Sequence, residues 1–150
     1  MKKRYLIIVT AVILAIIIGV VLFMSINKKD KYEAIKYGRA EFVTSMDDIN
    51  KELPTVILFK SSMVENSFYA ERNLKYLHDD YGDQFNIVHA NADDIQNKEI
   101  VALAEKYKVV GVPTIVVLDK DGNLVEKKED ISSKEEIAEM LKKVGVKINN

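Results

Sequence analysis

The apolar and polar positions of this chain follow two different periods, and one stretch follows neither. From Tyr5 to Asn27 no charged residue occurs, and "LIIVTAVILAIIIGVVLFMSI" (residues 6–26) is almost wholly apolar. A helix of about 20 such residues crosses a bilayer. A cleaved export signal needs a shorter apolar stretch, roughly 7–15 residues, and a small-residue cleavage site. "FMSINKKD" is a poor site, so residues 1–27 are expected to be a cytoplasmic tip and a retained transmembrane signal-anchor helix. Residues 28–39, charged and short of apolar side chains, read as a juxtamembrane spacer. A globular domain is expected over residues 40–150.

Within that domain the periods of strand and helix alternate. "AEFVTS" (40–45) alternates weakly and predicts a first strand. Ser45 and Asp48 suit the start of a short helix running to Leu53, which Pro54 ends. "TVILF" (Thr55–Phe59) is a continuous β-branched apolar run, the pattern of a central strand covered on both faces. Ala70, Leu74, Leu77 and Tyr81 share one helical face, and Gly82 stops that helix. "FNIVHA" (Phe85–Ala90) predicts a strand. Ile100, Leu103, Ala104 and Tyr107 repeat the helical spacing behind an Asn97 cap. "TIVVL" (Thr114–Leu118) predicts another buried strand, and "KDGN" (Lys120–Asn123) a hairpin turn. "LVEKK" then pairs back. Ser133 and Glu136 read as a capping box for a last helix whose Ile137, Met140, Leu141 and Val144 face inward. The expected class is α/β, a mixed sheet flanked by helices on both faces.

Charge and composition remove several functions. The 150 residues contain no cysteine, so disulfides, thiolate metal sites and a lipid-bearing N-terminal Cys are excluded. Without Lys2, Lys3 and Arg4, 19 basic residues face 23 acidic ones, a charge of −4 on the remainder. No basic cluster is interleaved with aromatics, which argues against nucleic acid. Lys2, Lys3 and Arg4 favour a cytoplasmic N-terminus, while Lys28, Lys29 and Lys31 oppose it. The balance favours a single-pass protein of the cell membrane with its domain outside the cytoplasm.

The order of elements resembles the thioredoxin fold, and local sequences carry the resemblance. "VVGVPT" (Val109–Thr114) is similar to the family's Gly-Ile/Val-Pro-Thr loop, which holds a cis proline. "PTVILFKSSMVENSF" resembles the stretch Pro-Val-Leu-Val-Asp-Phe-Trp-Ala-x-Trp-Cys-x-x-Cys, with Phe59 at the family phenylalanine. Met63 then falls at the tryptophan before the motif, Val64 and Ser67 at the two cysteines, and Glu65 and Asn66 between them. "KDGNLVEK" resembles the family hairpin. The likeness spans residues 40–146.

The departures from the family decide the expected function. Dithiol chemistry needs a low-pKa thiolate and a resolving thiol. Val64 and Ser67 supply neither, and the family's buried acid falls at Leu58. Disulfide exchange is therefore impossible for this chain alone, and no catalytic residue is expected. Ser67 as a nucleophile would need a base. His78 lies roughly 16 Å further along the same helix at 1.5 Å per residue. His89, on the following strand, could approach it, but no acid partner is evident in the sequence. The alternative for Ser67 is a helix-terminal residue serving backbone N–H groups. Asp119, Asp121 and Asn123 echo a calcium loop with its glycine misplaced, and a turn explains the same residues. Asp93 and Asp94 are either cation ligands or a solvated loop. Tyr69, Tyr76, Tyr81 and Tyr107 are expected as core or boundary residues. No metal and no cofactor are expected.

What the resemblance leaves is binding. Beside a cis proline an extended peptide can pair with the free backbone edge as an added strand. Met63, Val64, Glu65, Asn66, Ser67, Phe68, Val112 and Pro113 would form that surface. The expected protein is a membrane-tethered, redox-inactive binding or accessory module for an envelope protein or an extended peptide. The alternative is a component of a thiol–disulfide system whose cysteines another protein supplies.

Overall fold

A computed structural model describes residues 44–149. The expected anchor helix, the spacer and most of "AEFVTS" lie outside these residues. Thr44 and Ser45, which belong to the expected first strand, form a bend instead. The short helix that follows is a single 3₁₀ turn, Met46–Asp48, and does not reach Leu53. Ser45 caps it by accepting from the Asp47 N–H. Among the described residues no helix is long and apolar enough to cross a membrane.

Four strands and three helices follow in the order β1 (Thr55–Lys60), α1 (Glu65–Tyr81), β2 (Asn86–Asn91), α2 (Lys98–Lys106), β3 (Thr114–Leu118), β4 (Leu124–Glu129) and α3 (Lys134–Lys142). The sheet order is β2-β1-β3-β4. β1 pairs parallel with β2 and antiparallel with β3, and β4 pairs antiparallel with β3. Gly82 stops α1 where the sequence places it, whereas Pro54 ends no helix and only precedes β1; the strand 86–91 begins one residue later than its apolar pattern suggested.

Strand alternation divides the core into two layers. Val56, Leu58, Ile87, Ile115 and Val117 turn toward α1 and α3, where they meet Leu74, Leu77, Ile137 and Met140. Ile57, Phe59, Val88, Val116 and Leu118 turn the other way and meet Ile100 and Tyr107. Each helix presents one apolar stripe, as its period requires. Of the four tyrosines, only Tyr107 is buried and Tyr81 half-buried; Tyr69 and Tyr76 stand on the surface. Tyr69 is covered on its outer side by Arg72, 5.0 Å from the ring centre, and its hydroxyl donates to Glu65 at 3.1 Å.

The hairpin joining β3 to β4 spans Asp119–Asn123, longer than a two-residue turn. The Asp119 carboxylate builds it, accepting from the N–H groups of Asp121 (2.9 Å) and Asn123 (2.8 Å) and from the Asn123 amide (3.0 Å). Gly122 sits at φ 81°, a conformation only glycine adopts at no steric cost. Ser133 caps α3 by accepting from Glu136 N–H at 3.4 Å. The Glu136 carboxylate turns to Lys128 instead.

Candidate functional site

The loop between β1 and α1 lies at the end of the sheet where β1 and β2 finish and β3 begins. Two aspartates, Asp93 and Asp130, fix it. Asp93, in the loop after β2, takes the Ser61 hydroxyl at 2.6 Å on one oxygen. Its other oxygen takes the Ser62 N–H at 2.8 Å and the Ser62 hydroxyl at 2.7 Å. These bonds favour the ionised form, Ser61 most, and hold the carboxyl below its usual range. Ser61 in turn accepts from Met63 N–H at 3.1 Å. From the other side Asn66 donates to Asp130 at 2.9 Å. Asp130 N–H donates to the Pro113 carbonyl at 2.7 Å, so the motif loop and the proline loop share one strut.

The Val112–Pro113 peptide is cis. Pro113 is buried and Val112 half-buried. Val64 is the N-cap of α1 and has no side-chain group to offer the helix. Ser67 is buried, 1% exposed, and its hydroxyl oxygen accepts the Ser61 N–H at 3.2 Å. Met63 stands 89% exposed at the loop tip, beside half-buried Val64 and exposed Glu65, Asn66 and Phe68.

Beneath the loop a cleft of about 450 Å³ opens on Lys60, Ser67, Glu71, His89 and Asp94, with Thr44 at its edge. Lys60 and His89 are the α1-facing side chains at the ends of β1 and β2, placed there by strand parity. Glu71, one helical turn after Ser67, reaches both: 2.6 Å to Lys60 Nζ and 3.8 Å to His89 Nδ1. An acid does therefore approach His89, which the sequence did not reveal. Burial, then the Lys60 charge, pushes the imidazole pKa down to about 3. His89 is thus neutral at physiological pH. Leu58, at the position of the family acid, is fully buried and pairs in register with His89. His78 is elsewhere, edge-on to Phe85 at 5.5 Å between ring centres. Burial lowers its pKa.

Beside the proline loop lies a second recess, a groove of about 290 Å³ whose walls include Phe59, Ile95, Val109, Val110 and Val112. Ile95 and Val110 are 80% and 85% exposed. Among the described residues no group of three or more His, Cys, Asp or Glu side chains could hold a metal ion. Asp93, read from sequence as a cation candidate, spends its carboxylate on the loop.

Sequence reasoning named the loop residues but missed Lys60, Glu71, Ile95, Val110 and Asp130. Strand parity alone would have put Lys60 and His89 on the same face of the sheet. The i, i+4 step from Ser67 to Glu71 was the other available signal.

The geometry agrees with comparisons to known proteins. A family model described as a thioredoxin-like domain matches residues 21–145. No curated protein matches the chain. Among solved structures, an uncharacterized thioredoxin-like protein from Clostridium perfringens is 29% identical, with 76% of this chain and 88% of that one covered and a TM-score of 0.64. The germline-specific thioredoxin Deadhead of Drosophila melanogaster is 20% identical, with 70% and 99% covered and a TM-score of 0.56. An exposed lipoprotein thioredoxin of Streptococcus pneumoniae is 18% identical, with 61% and 85% covered and a TM-score of 0.54. Four strands in mixed order, the cis proline just before β3 and the matched family model place the chain in the thioredoxin-like domain family, as a member without cysteines.

Proposed function

We propose that this protein is a membrane-tethered, redox-inactive thioredoxin-like binding module, whose former motif loop and proline loop take an extended segment of a partner protein. The observation that carries the reading is the contrast within the loop itself. Ser67, at the resolving position, spends its hydroxyl on the backbone, whereas Met63 next to the attacking position projects into solvent. With no cysteine the chain cannot exchange disulfides. A loop fixed by Asp93 and Asp130 loses little entropy when a partner docks, which favours association. Methionine at the tip adapts to varied apolar surfaces. Tethering through residues 6–26 would raise the effective concentration at a membrane partner.

Photocrosslinking in cells tests this reading, with a reactive residue at Val64 or Val112 and a control at Lys120. Lys120 lies in the turn at the opposite end of the sheet and is exposed. The expected result is one dominant partner captured at both loop positions and not at Lys120. A spread of many captured peptides would mean chaperone-like binding through the same surface. Equal or no capture at all three positions would overturn the reading.

A further inference from the structure

The two recesses at the loop meet at one side chain. Asp94 lines both the polar cleft and the apolar groove. Among the described residues that line the groove it is the only charged side chain. In the cleft, the positive charge of Lys60 is matched by Glu71 at 2.6 Å, which leaves Asp94 as the uncompensated charge there. Its neighbour Asp93 is fully used by Ser61 and Ser62. Asp94 is not: among the described residues its backbone N–H bonds Asn91 at 3.1 Å, and its exposed carboxylate has no hydrogen-bond or ion-pair partner. The next residue, Ile95, is exposed and apolar.

We infer that the docked segment carries an aliphatic side chain next to a lysine or arginine, the first entering the groove and the second meeting Asp94. This rests on the binding reading above and sets its specificity. An apolar wall with a single negative charge attracts a cation flanked by an apolar group and repels an acidic segment. An acidic balance over the rest of the chain, 23 acidic against 19 basic residues without Lys2, Lys3 and Arg4, works in the same direction.

The test uses the full chain in detergent micelles and fluorescein-labelled extended peptides with a central Leu flanked on both sides by Lys, Gln or Glu. Anisotropy titrations at low and high salt give the affinities. The Lys peptide is expected to bind more tightly than the Gln peptide by up to about fivefold, the upper end of the range of an exposed ion pair. The Glu peptide should be weakest, and the contrast should shrink as salt rises. Asp94→Asn should bring the Lys and Gln peptides to equal affinity. Binding that ignores peptide charge would overturn this inference while leaving the binding reading intact. Charge discrimination that survives Asp94→Asn would overturn the assignment to Asp94. Failure of every peptide to bind would overturn both.

Discussion

The two ends of the sheet each have a loop organised by an aspartate, yet they are built differently. At the β3–β4 turn, Asp119 bonds groups two and four residues ahead. At the motif loop, Asp93 bonds Ser61 and Ser62 across 32 and 31 residues, and Asn66 reaches Asp130 across 64. The first loop is a local solution to reversing a chain. The second draws together the ends of β1 and β2, the start of α1 and the proline loop. Local closure suits a turn that only has to connect. Long-range closure holds a surface in one shape, which a docking surface requires and a connecting turn does not.

The strongest way to break the site end lies under it. Leu58 is fully buried where the family keeps an acid. Leu58→Asp should cost at least the about 2–5 kcal/mol of truncating a core leucine, because it also buries a carboxylate. Denaturant unfolding at neutral pH checks this, and a fully stable variant would mean that water reaches Leu58.

Acid should weaken the same end next. The His89 pKa lies at about 3 in the folded protein and near 6.5 in the unfolded chain. Between these values the unfolded state binds the extra proton. Stability should therefore fall as pH drops from about 6.5 toward 3, by up to about 1.4 kcal/mol per pH unit from this group. His89→Gln should flatten that slope relative to the parent in unfolding curves taken across the window.

A smaller loss is expected from Ser67→Ala. It leaves the Ser61 N–H without its acceptor, a cost of about 1–3 kcal/mol for a buried donor. Thermal unfolding measures it, and a neutral result would show that water replaces the hydroxyl.

Asp93→Ala and Asp119→Ala compare the loops directly. Amide exchange should quicken at Ser62 and Met63 in the first variant and at Asp121 and Asn123 in the second. Only Asp93→Ala should also loosen the β2–α2 loop that supplies Asp94 and Ile95. Confinement of its effect to Ser62 and Met63 would make the two loops alike.

The same contrast governs how much of the molecule could be read in advance. The strand "TVILF", the helix stripe Ala70-Leu74-Leu77 and the Asn97 cap depend on residues near in sequence, and all appear where their patterns place them. The short helix before Pro54 does not, because propensity over a few residues cannot fix its length; one 3₁₀ turn held by Ser45 suffices. The loop Ser61–Val64 was legible as a place, through the cis-proline loop and the vacant cysteine positions. Its contacts were not. Asp93 looked like a solvated or cation-binding residue, because nothing local shows that it faces Ser61. Glu71 looked like one of many charged helix positions until β1 and β2 brought Lys60 and His89 beneath it.

If the loop tip is a contact surface, Met63 is its most exposed apolar point. The direct measurement is the yield of the crosslinked partner from Val64 in the parent and in Met63→Glu, with folding followed by circular dichroism. The account predicts that a charge at Met63 abolishes the product and leaves the fold intact. An undiminished product from a folded Met63→Glu protein would contradict it.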